Sequence, residues 1–511
     1  MSPALGVRNI DNSLVQSFTQ VGNTVFSGGD FKYVEKASTG ERVDQKFLAG
    51  FDVDTGELVR SFAPSFNNQV KAVAALPNNR IAVGGQFTVV NGEKHAGFVV
   101  LDATTGQIDK ELSTQLENLT SVGVVKVNDL LVAGNYLYIG GLFTHLTNPG
   151  DSYRTYSRNA ARIDLSVNRV DRQWRPEFNG SVNGLSTAPD DSAVYAAGFF
   201  STLHGESTLR LAAMNSTDGR RLAPWQLITS DPVRYGVVNH DYQYAVQGIA
   251  GAVWSGGSEH ILSKYNTADF SREYSAITRG GGDFQSLSLN DDVLFASCHC
   301  GEAVYEGATE WRAPHTQKSF FNMNQIRLIG AWDPVTGRQL PDFNPQLSGR
   351  NGYGVWDSFT DSNGVLWVGG DINRSMGVQG YAQKTVGFAR FAPRDAVAPA
   401  APAQLSVKSD SGKDQLTWAA SGEPDVTYQI IRDNKVIAST ESLSYSVDHA
   451  DGARYFVRAA DQAGNISAST SVAVAETLPV RPGSGSNNGS HPSPEPTPDS
   501  TSMTSITQGK N

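Results

Sequence analysis

Aromatic and charged side chains are concentrated in one stretch of this sequence, residues 301–325. Aromatic rings stack on the C–H faces of sugars, and carboxylate and guanidinium groups hydrogen-bond to hydroxyls, so this combination is typical of carbohydrate recognition. The candidate ligand-binding residues in this stretch are Glu302, Tyr305, Glu306, Trp311, Arg312 and His315. The alternative is an ordered loop whose aromatic residues pack against its neighbours.

A second aromatic and cationic stretch, residues 144–158, contributes Tyr153 and Arg154 as candidate ligand-binding residues. Carboxylates also occur in the segments that are predicted to connect strands. Two of them at a suitable separation could serve a glycoside hydrolase or lyase, but sequence spacing does not fix that separation. The carboxylates available for such a pair are Asp30, Asp283, Glu302, Glu306 and Asp371. No individual catalytic residue is therefore assigned.

The chain has two cysteines, Cys298 and Cys300, on either side of His299. On an extended strand the two cysteines lie on one side and His299 on the other, so one metal ion cannot easily take all three. Two residues of strand span about 6.6 Å, within the upper range for a disulfide. A structural disulfide is predicted, with buried thiols or a metal or redox role as alternatives. No metal site and no cofactor is expected.

Charge and motif content exclude several classes of function. The chain has 41 lysine and arginine residues against 51 aspartate and glutamate, a net charge of -10, and no basic run, so nucleic acid is not expected as a partner. No apolar stretch is long enough to span a membrane, and residues 1–11 lack the features of a signal peptide. No P-loop, nucleophile elbow or HExxH zinc motif occurs.

One heptapeptide pattern recurs seven times and organises residues 1–393. The first five copies start 56 to 59 residues apart, and the last two spacings, 41 and 72, have a mean of 56.5. A period of this length is typical of a repeat architecture. The copies are VFSGGDF from Val25, IAVGGQF from Ile81, LYIGGLF from Leu137, VYAAGFF from Val194, VWSGGSE from Val253, LFASCHC from Leu294 and LWVGGDI from Leu366.

Each copy has the alternation of a β-strand and ends in small residues that permit close backbone approach. A second strand then leads to an Asp-x-x-Thr-Gly type of turn, as in GFDVDTG from Gly50 and AWDPVTG from Ala331. Four short strands per unit are predicted. Seven such sheets can bury their faces only against one another, so an all-β fold with a seven-bladed β-propeller is expected.

These residues resemble the kelch-like and related Gly-Gly repeat propellers, whose architecture includes the galactose-oxidase propeller. The resemblance implies a fold but no particular activity. Copper chemistry of the galactose-oxidase kind needs a Tyr cross-linked to a Cys, and the tight cysteine pair does not favour it. Copies four to six depart from the pattern, at Ala197, at Ser258 and Glu259, and at Ser297 and Cys298.

The sequence changes character after residue 393. Residues 394–402 are a Pro- and Ala-rich linker, and residues 403–476 contain seven short strand patterns. Trp418 and the stretch YFVRAADQAGNIS from Tyr455 resemble the fibronectin type III family, which implies a β-sandwich with Trp418 and Tyr455 in its core and the Tyr455 hydroxyl tied to backbone. Residues 477–511 are too polar to fold and are predicted to form a stalk or linker.

Together these features predict an exported, surface-associated binding protein, secreted or held at the cell surface. Its partner is expected to be a glycan or a surface protein. The partner would bind on the propeller face that carries the long, aromatic-rich loops between strands. A glycoside hydrolase or lyase acting on extracellular or envelope polysaccharide is the first alternative, and a structural scaffold is the second.

Overall fold

The computed structural model describes residues 6–8, 14–36, 39–121, 123–229, 241–279, 282–309, 320–349, 352–375, 383–393, 395, 397–461 and 463–477. Every helix or strand element in these ranges is a β-strand, so the predicted all-β fold class is confirmed. The chain forms two compact units, Met1–Pro393 and Arg394–Asn511. In the described ranges, no helix has the length and apolar character needed to cross a membrane.

Seven antiparallel sheets of the first unit repeat one arrangement in chain order in the described residues, and they are here called sheets one to seven. Each begins with an inner strand. The inner strands are Leu14–Val21, Val70–Leu76, Lys126–Ala133, Ser181–Thr187, Gln243–Ile249, Phe284–Asn290 and Val355–Thr360. Each inner strand pairs with a second strand, in which most of a heptapeptide copy lies. The second strands are Thr24–Asp30, Arg80–Gly85, Tyr136–Leu142, Ala193–Phe199, Ala252–Gly257, Val293–Cys298 and Leu366–Gly370.

A third strand completes the regular part of each sheet. The third strands are Leu48–Asp52, Phe98–Asp102, Ala160–Asp164, Leu211–Asn215, Ile261–Asn266, Ile329–Trp332 and Phe388–Phe391. The predicted turn after the third strand forms as expected in sheet one, where Asp52 Oδ1 accepts the backbone N–H of Thr55 at 2.9 Å and Gly56 has φ 70°.

In the described residues, the predicted fourth strand forms in only three of the seven sheets. It is present as Arg169–Val170, Arg221–Ala223 and Arg272–Arg279 in sheets three to five. In sheets one, two and six it is reduced to single bridges, such as Phe51 to Leu58. A proline follows soon after this bridge, at Pro64, and proline has no N–H to continue a ladder.

Both faces of each sheet are buried against the neighbouring sheets. Side chains alternate along a strand, so Val25 of sheet one packs with Trp367 of sheet seven, while Phe26 packs with Val83 of sheet two. Seven apolar clusters of this kind each join two sheets that follow one another, and one of them joins sheets seven and one. The inner strand Leu14–Val21 contacts both Val70–Leu76 and Val355–Thr360.

The glycine pairs of the heptapeptide permit this close packing. A Cβ on Gly28 would lie 2.6 Å from Val70 Cγ1 of sheet two, and a Cβ on Gly29 would lie 2.0 Å from the Leu14 carbonyl oxygen. The equivalent Gly369 of sheet seven faces Val15 Cγ1 of sheet one, also at 2.6 Å. A larger residue at these positions would separate the sheets or break the pairing of the inner and second strands.

Short β-ribbons follow the second strands at one end of the sheets. Their strands are Gly6–Arg8, Tyr33–Glu35 and Arg42–Asp44; Val89–Val90 and Glu93–Lys94; Gln115–Glu117, His145–Thr147 and Thr155–Tyr156; Thr202–Leu203 and Glu206–Ser207; and Leu347–Gly349, Ile372–Ser375 and Gln383–Lys384. The stretch 301–325 is not wholly a loop. Ala303–Glu306 pairs with Arg272–Arg279 and is followed by Asn322–Gln325, which extends sheet five to six strands.

The described residues of the second unit form seven strands in two sheets. One sheet contains Ala403–Asp410, Lys413–Ala419 and Ser444–Asp448, and the other contains Lys435–Thr440, Thr427–Arg432, Arg454–Ala460 and Ala473–Val474. Trp418 and Tyr428 pack edge to face in the core, with ring centroids 5.7 Å apart. The hydroxyl of buried Tyr455 donates to Asp414 Oδ2 at 2.8 Å, and not to backbone as expected, because the Asp414 carboxylate is itself buried.

Candidate functional site

Every inner strand carries a β-bulge at the same position against its second strand. In sheet one, Val15 pairs with Gly29 and Ser17 with Gly28, which leaves Gln16 as the extra residue. A bulge re-aims the side chain of its extra residue. The seven bulge residues are Gln16, Lys71, Asn128, Asn183, Tyr244, Gln285 and Trp356.

All seven bulge residues line one cavity of about 670 Å³, here called the central cavity. Its wall is built by residues of all seven inner strands. Leu289, which is 40% exposed, and the exposed Pro189 also line it, so the cavity reaches solvent where the inner strands end. The arrangement is a single concave site surrounded by strands that are far apart in sequence.

Amide and aromatic groups dominate the bulge positions. Asn128 Nδ2 donates to Asn183 Oδ1 at 3.2 Å, and Asn183 Nδ2 donates to the Gln243 carbonyl at 3.1 Å. The rings of Tyr244 and Trp356 lie edge to face, with centroids 6.0 Å apart. These groups offer hydrogen-bond donors, hydrogen-bond acceptors and an aromatic surface within one cavity.

Two polar atoms of the central cavity have no hydrogen-bond partner in the described part of the chain. They are the Oε1 atom of Gln285 and the Nε1 atom of Trp356, and both are buried. Neither atom presents surface to the cavity, so the polar groups that the cavity offers to a ligand are those of the other side chains in its wall.

The ionisable groups of the cavity have shifted pKa values. Burial raises the pKa of Asp129 to about 6 and that of Asp357 to about 7, although each carboxylate accepts backbone N–H groups that oppose the shift. Burial, with a smaller contribution from Lys126, lowers the pKa of Lys71 to about 8. Each shift favours the neutral form, so the cavity carries less charge near neutral pH than its composition suggests.

Beside the cavity, three metal-ligating side chains lie close together. His260 follows the second strand of sheet five, Asp283 precedes the inner strand of sheet six, and His299 follows Cys298 at the end of the second strand of sheet six. Their ligand atoms all lie within 4.8 Å of one another. Gln285 connects this cluster to the cavity, because its Nε2 is 3.5 Å from His299 Nδ1.

The structure describes three of the six predicted site residues of stretch 301–325, and only one of these three is exposed. Glu302 is exposed, with φ 68°. Tyr305 is buried and packs edge to face on Phe320, at 5.0 Å between centroids. Trp311, Arg312 and His315 lie outside the described residues.

Glu306 is 1% exposed and fully occupied by protein donors. Its carboxylate accepts the Tyr274 hydroxyl at 3.1 Å, the Asn322 amide at 2.6 Å and the Gln339 backbone N–H at 2.8 Å. These contacts hold the end of the insert against sheets five and six. The geometry gives this residue a structural task.

Tyr153 and Arg154 lie on the ribbon of sheet three. Tyr153 is 59% exposed, and the Arg172 guanidinium stacks on its ring at 4.3 Å and donates to its hydroxyl at 2.6 Å. Arg154 forms an ion pair with Glu117. Both residues are accessible; Arg154 has its partner in the same ribbon, and Tyr153 has its partner just after the fourth strand of sheet three.

Cys298 and Cys300 are joined by a disulfide, with their Cα atoms 5.2 Å apart. Both cysteines are buried among apolar residues of sheets five and six. The intervening His299 is directed away from them toward Asp283 and Gln285. The disulfide therefore fixes the position of a residue of the metal-ligating cluster.

Of the bulge residues, sequence reasoning singled out only Trp356, as part of an aromatic-rich rim, because a bulge leaves no distinctive local pattern. A signal for the His260, Asp283 and His299 cluster was present in the repeat. Copies one to four end in a buried phenylalanine, Phe31, Phe87, Phe143 or Phe200, and copies five and six replace it with Glu259 and Cys300. Both histidines of the cluster adjoin these two substitutions.

Comparison with known proteins adds little. No protein-family model matches the chain, and no curated protein matches it. Among solved structures, the chain is similar to the computationally designed Ika8 protein, with 11% sequence identity over 90% of this chain and 97% of that one. The TM-score is 0.40, which carries no argument about fold or function.

Proposed function

We propose that the first unit is a seven-bladed β-propeller of the Gly-Gly repeat kind and the second a fibronectin type III-like domain. The propeller proposal is supported by the contact of each inner strand with the next and by the contact between the last and the first. It is also supported by the repeated contact of a glycine with a valine of the following sheet, which sheets seven and one share. In this architecture the central cavity lies on the axis of the propeller.

We further propose that the central cavity binds a glycan. The observation that carries this proposal is the convergence of seven bulge residues, four of them amides and two aromatic, on one cavity. Amides hydrogen-bond to neutral hydroxyls in both directions, and an aromatic ring covers the C–H face of a sugar. A volume of about 670 Å³ is within the usual range for small-ligand sites, so a sugar residue or short oligosaccharide is the expected occupant.

The location proposed for this activity is outside the cell. The disulfide is consistent with an oxidising compartment, and a sandwich domain followed by a Pro-, Ser- and Gly-rich tail is suited to hold a binding domain away from a surface. A surface protein as the ligand is an outcome of the test below, as is a scaffold without a small ligand.

The experiment measures retention of the full chain on immobilised envelope and extracellular polysaccharides, together with release of reducing ends. Trp356→Ala removes one of the two aromatic rings at the bulge positions, and we expect it to weaken retention by at least about tenfold, equivalent to about 1.4 kcal/mol. Tyr353→Ala is the matched control, because Tyr353 is 47% exposed and does not line the cavity. Equal retention of the Trp356→Ala variant and wild type would reject the cavity as the site.

Variants of the 301–325 stretch separate the two candidate locations. Loss of retention in Trp311→Ala with normal retention in Trp356→Ala would move the glycan site to the insert. No retention on any glycan would redirect the search to protein partners.

A glycoside hydrolase or lyase is the second candidate function. The observation that favours it is a pair of carboxylates with raised pKa values, Asp129 and Asp357, in one cavity, since a catalytic acid at neutral pH needs such a shift. Release of reducing ends by wild type, reduced at least about a hundredfold in Asp357→Asn, would establish it. Retention without release would leave the binding proposal alone.

A further inference from the structure

We infer that His260, Asp283 and His299 form a binding site for a divalent transition-metal ion, with Zn²⁺ as the best-fitting ion. His260 Nε2 lies 3.3 Å from Asp283 Oδ1, and His299 Nε2 lies 3.9 Å from the same oxygen. Sequence analysis predicted no metal site, and the three residues are far apart along the chain. The inference does not rest on the proposed glycan function, because metal binding is measured without a glycan.

The two distances to Asp283 are close to those of a tetrahedral site, and the ligand atoms of the two histidines lie within 4.8 Å of each other. Zinc–ligand bonds of about 2.0–2.2 Å place neighbouring ligand atoms of a tetrahedron about 3.3–3.5 Å apart. The His260–Asp283 separation already has this value, and the His299–Asp283 separation exceeds it by a few tenths of an ångström. Three protein ligands leave one position for water or another small ligand, the arrangement of an open zinc site.

The ligand types decide which ions can bind. Two imidazole nitrogens and one carboxylate suit Zn²⁺ and related first-row ions, while Ca²⁺ and Mg²⁺ prefer all-oxygen sites. The backbone N–H of Asp283 also lies 3.4 Å from His299 Nε2. That distance is long for a hydrogen bond, so this donor competes only weakly for the nitrogen lone pair.

Gln285 can set the tautomer that metal binding requires. A histidine that binds metal through Nε2 donates its Nδ1–H to an acceptor. Gln285 is 8% exposed, lies 3.5 Å from His299 Nδ1 through Nε2, and has no partner for Oε1 within the described ranges. If the oxygen and nitrogen of the Gln285 amide are exchanged, Oε1 can accept the hydrogen bond from His299 Nδ1–H. That leaves the lone pair of His299 Nε2 for the ion.

One buried threonine holds two of the ligand-bearing segments together. Thr278 is 0% exposed; its backbone N–H donates to the His260 carbonyl at 3.0 Å, and its hydroxyl donates to the Gly282 carbonyl at 3.0 Å. His260 has φ 59°, in the left-handed region that residues other than glycine seldom adopt. Such a conformation is kept where the surroundings fix it, and it is common at functional sites.

The disulfide completes the positioning of the site. Cys298 and Cys300 bracket His299, and their sulfur atoms are bonded to each other. They are therefore not available as thiolate ligands, which leaves the two histidines and the aspartate as the ligand set.

The test uses the full oxidised chain, stripped of metal with a chelator and dialysed against Zn²⁺ or Co²⁺. We expect one Zn²⁺ to bind per chain. Co²⁺ should bind the same site with the visible absorption of a four-coordinate ion, and added Zn²⁺ should displace it. His260→Gln, Asp283→Asn and His299→Gln are each expected to weaken binding by at least about a hundredfold, and Gln285→Ala by about tenfold to a hundredfold.

His449→Gln is the matched control. His449 Nδ1 lies 2.7 Å from Asp414 Oδ1 and Nε2 lies 2.8 Å from Asp451 Oδ1, so it is also a histidine between carboxylates, but its two ring nitrogens face different partners. This variant should bind Zn²⁺ like wild type. Absence of stoichiometric binding in wild type, or unchanged binding in the three ligand variants, would overturn the inference.

A second measurement covers the case in which a ligand variant does not fold. Anomalous X-ray scattering at the zinc edge from wild-type crystals soaked in Zn²⁺ should place the ion between His260, Asp283 and His299. An ion found elsewhere, or none, would reject the site without recourse to any variant.

Discussion

The Asp357 carboxylate accepts a hydrogen bond from the Phe18 backbone N–H, 2.8 Å away and 339 residues earlier in the chain. This hydrogen bond joins the inner strand of sheet seven to the inner strand of sheet one. Asp129 does the same between sheets three and four, where it accepts the Leu185 N–H at 2.6 Å. Asp357 and Asp129 each directly follow a bulge residue, so the two aspartates link neighbouring sheets at corresponding positions of the repeat.

This link makes stability depend on pH. The pKa of Asp357 is raised from its ordinary 3.8 to about 7, so between these values the folded chain binds more protons than the unfolded chain. The free energy of unfolding therefore falls as pH rises through this window. Asn keeps an acceptor for the Phe18 N–H without a charge, so Asp357→Asn should remove this part of the pH dependence.

Urea unfolding at pH 5, 6, 7 and 8, followed by tryptophan fluorescence, measures the effect. Between pH 5 and 8, wild type should lose on the order of 1–3 kcal/mol more stability than Asp357→Asn. Parallel profiles for the two proteins would contradict the raised pKa of Asp357.

The glycine pairs give a prediction about packing. Gly29→Ala places a Cβ 2.0 Å from the Leu14 carbonyl oxygen, a backbone atom that cannot move without disturbing the inner strand. We expect a loss of about 1–3 kcal/mol in the free energy of unfolding. Gly301→Ala is the control, since a Cβ there meets nothing within 4 Å, and it should change stability by no more than about 0.5 kcal/mol. Equal stability of the two variants would contradict the packing scheme.

Two glutamates of the insert should behave differently. Glu306→Ala leaves the Tyr274 hydroxyl, the Asn322 amide and the Gln339 N–H without an acceptor, so thermal and urea unfolding should show a loss of about 3–5 kcal/mol.

Glu302→Ala is the control for that variant, because Glu302 is exposed, and it should change stability by no more than about 0.5 kcal/mol. Glycan retention at a temperature where both variants are folded should equal that of wild type. A folded Glu306→Ala variant that lost retention would return this residue to the ligand site.

Much of the fold was predictable because its causes are local. Alternation of apolar residues in the heptapeptide predicted the second strands, and Asp52 and Gly56 formed the predicted turn, since both effects depend on neighbours a few residues apart. The reduction of the fourth strand to a single bridge in sheets one, two and six was not predicted. In sheet one, Pro64 has no N–H to continue a ladder beyond Leu58.

The candidate sites were less predictable. Tyr305 and Glu306 have the side chains of a sugar site, but both are buried, because strand Ala303–Glu306 joins sheet five. Side-chain type does not show which face of a strand meets a neighbour. The sequence shows that Glu259 and Cys300 replace the phenylalanine of the repeat. It does not show that Asp283 lies beside the two neighbouring histidines.

The sequence by itself determined the repeat, the strands and the glycine contacts, because periodicity and steric size act along the chain. Only the tertiary structure decided that Gln16, Tyr244 and Trp356 face one cavity, and that His260, Asp283 and His299 meet beside it. Which of these residues come close together depends on the stagger and twist between sheets. These are set by the packing of many side chains together, and no local spacing records them.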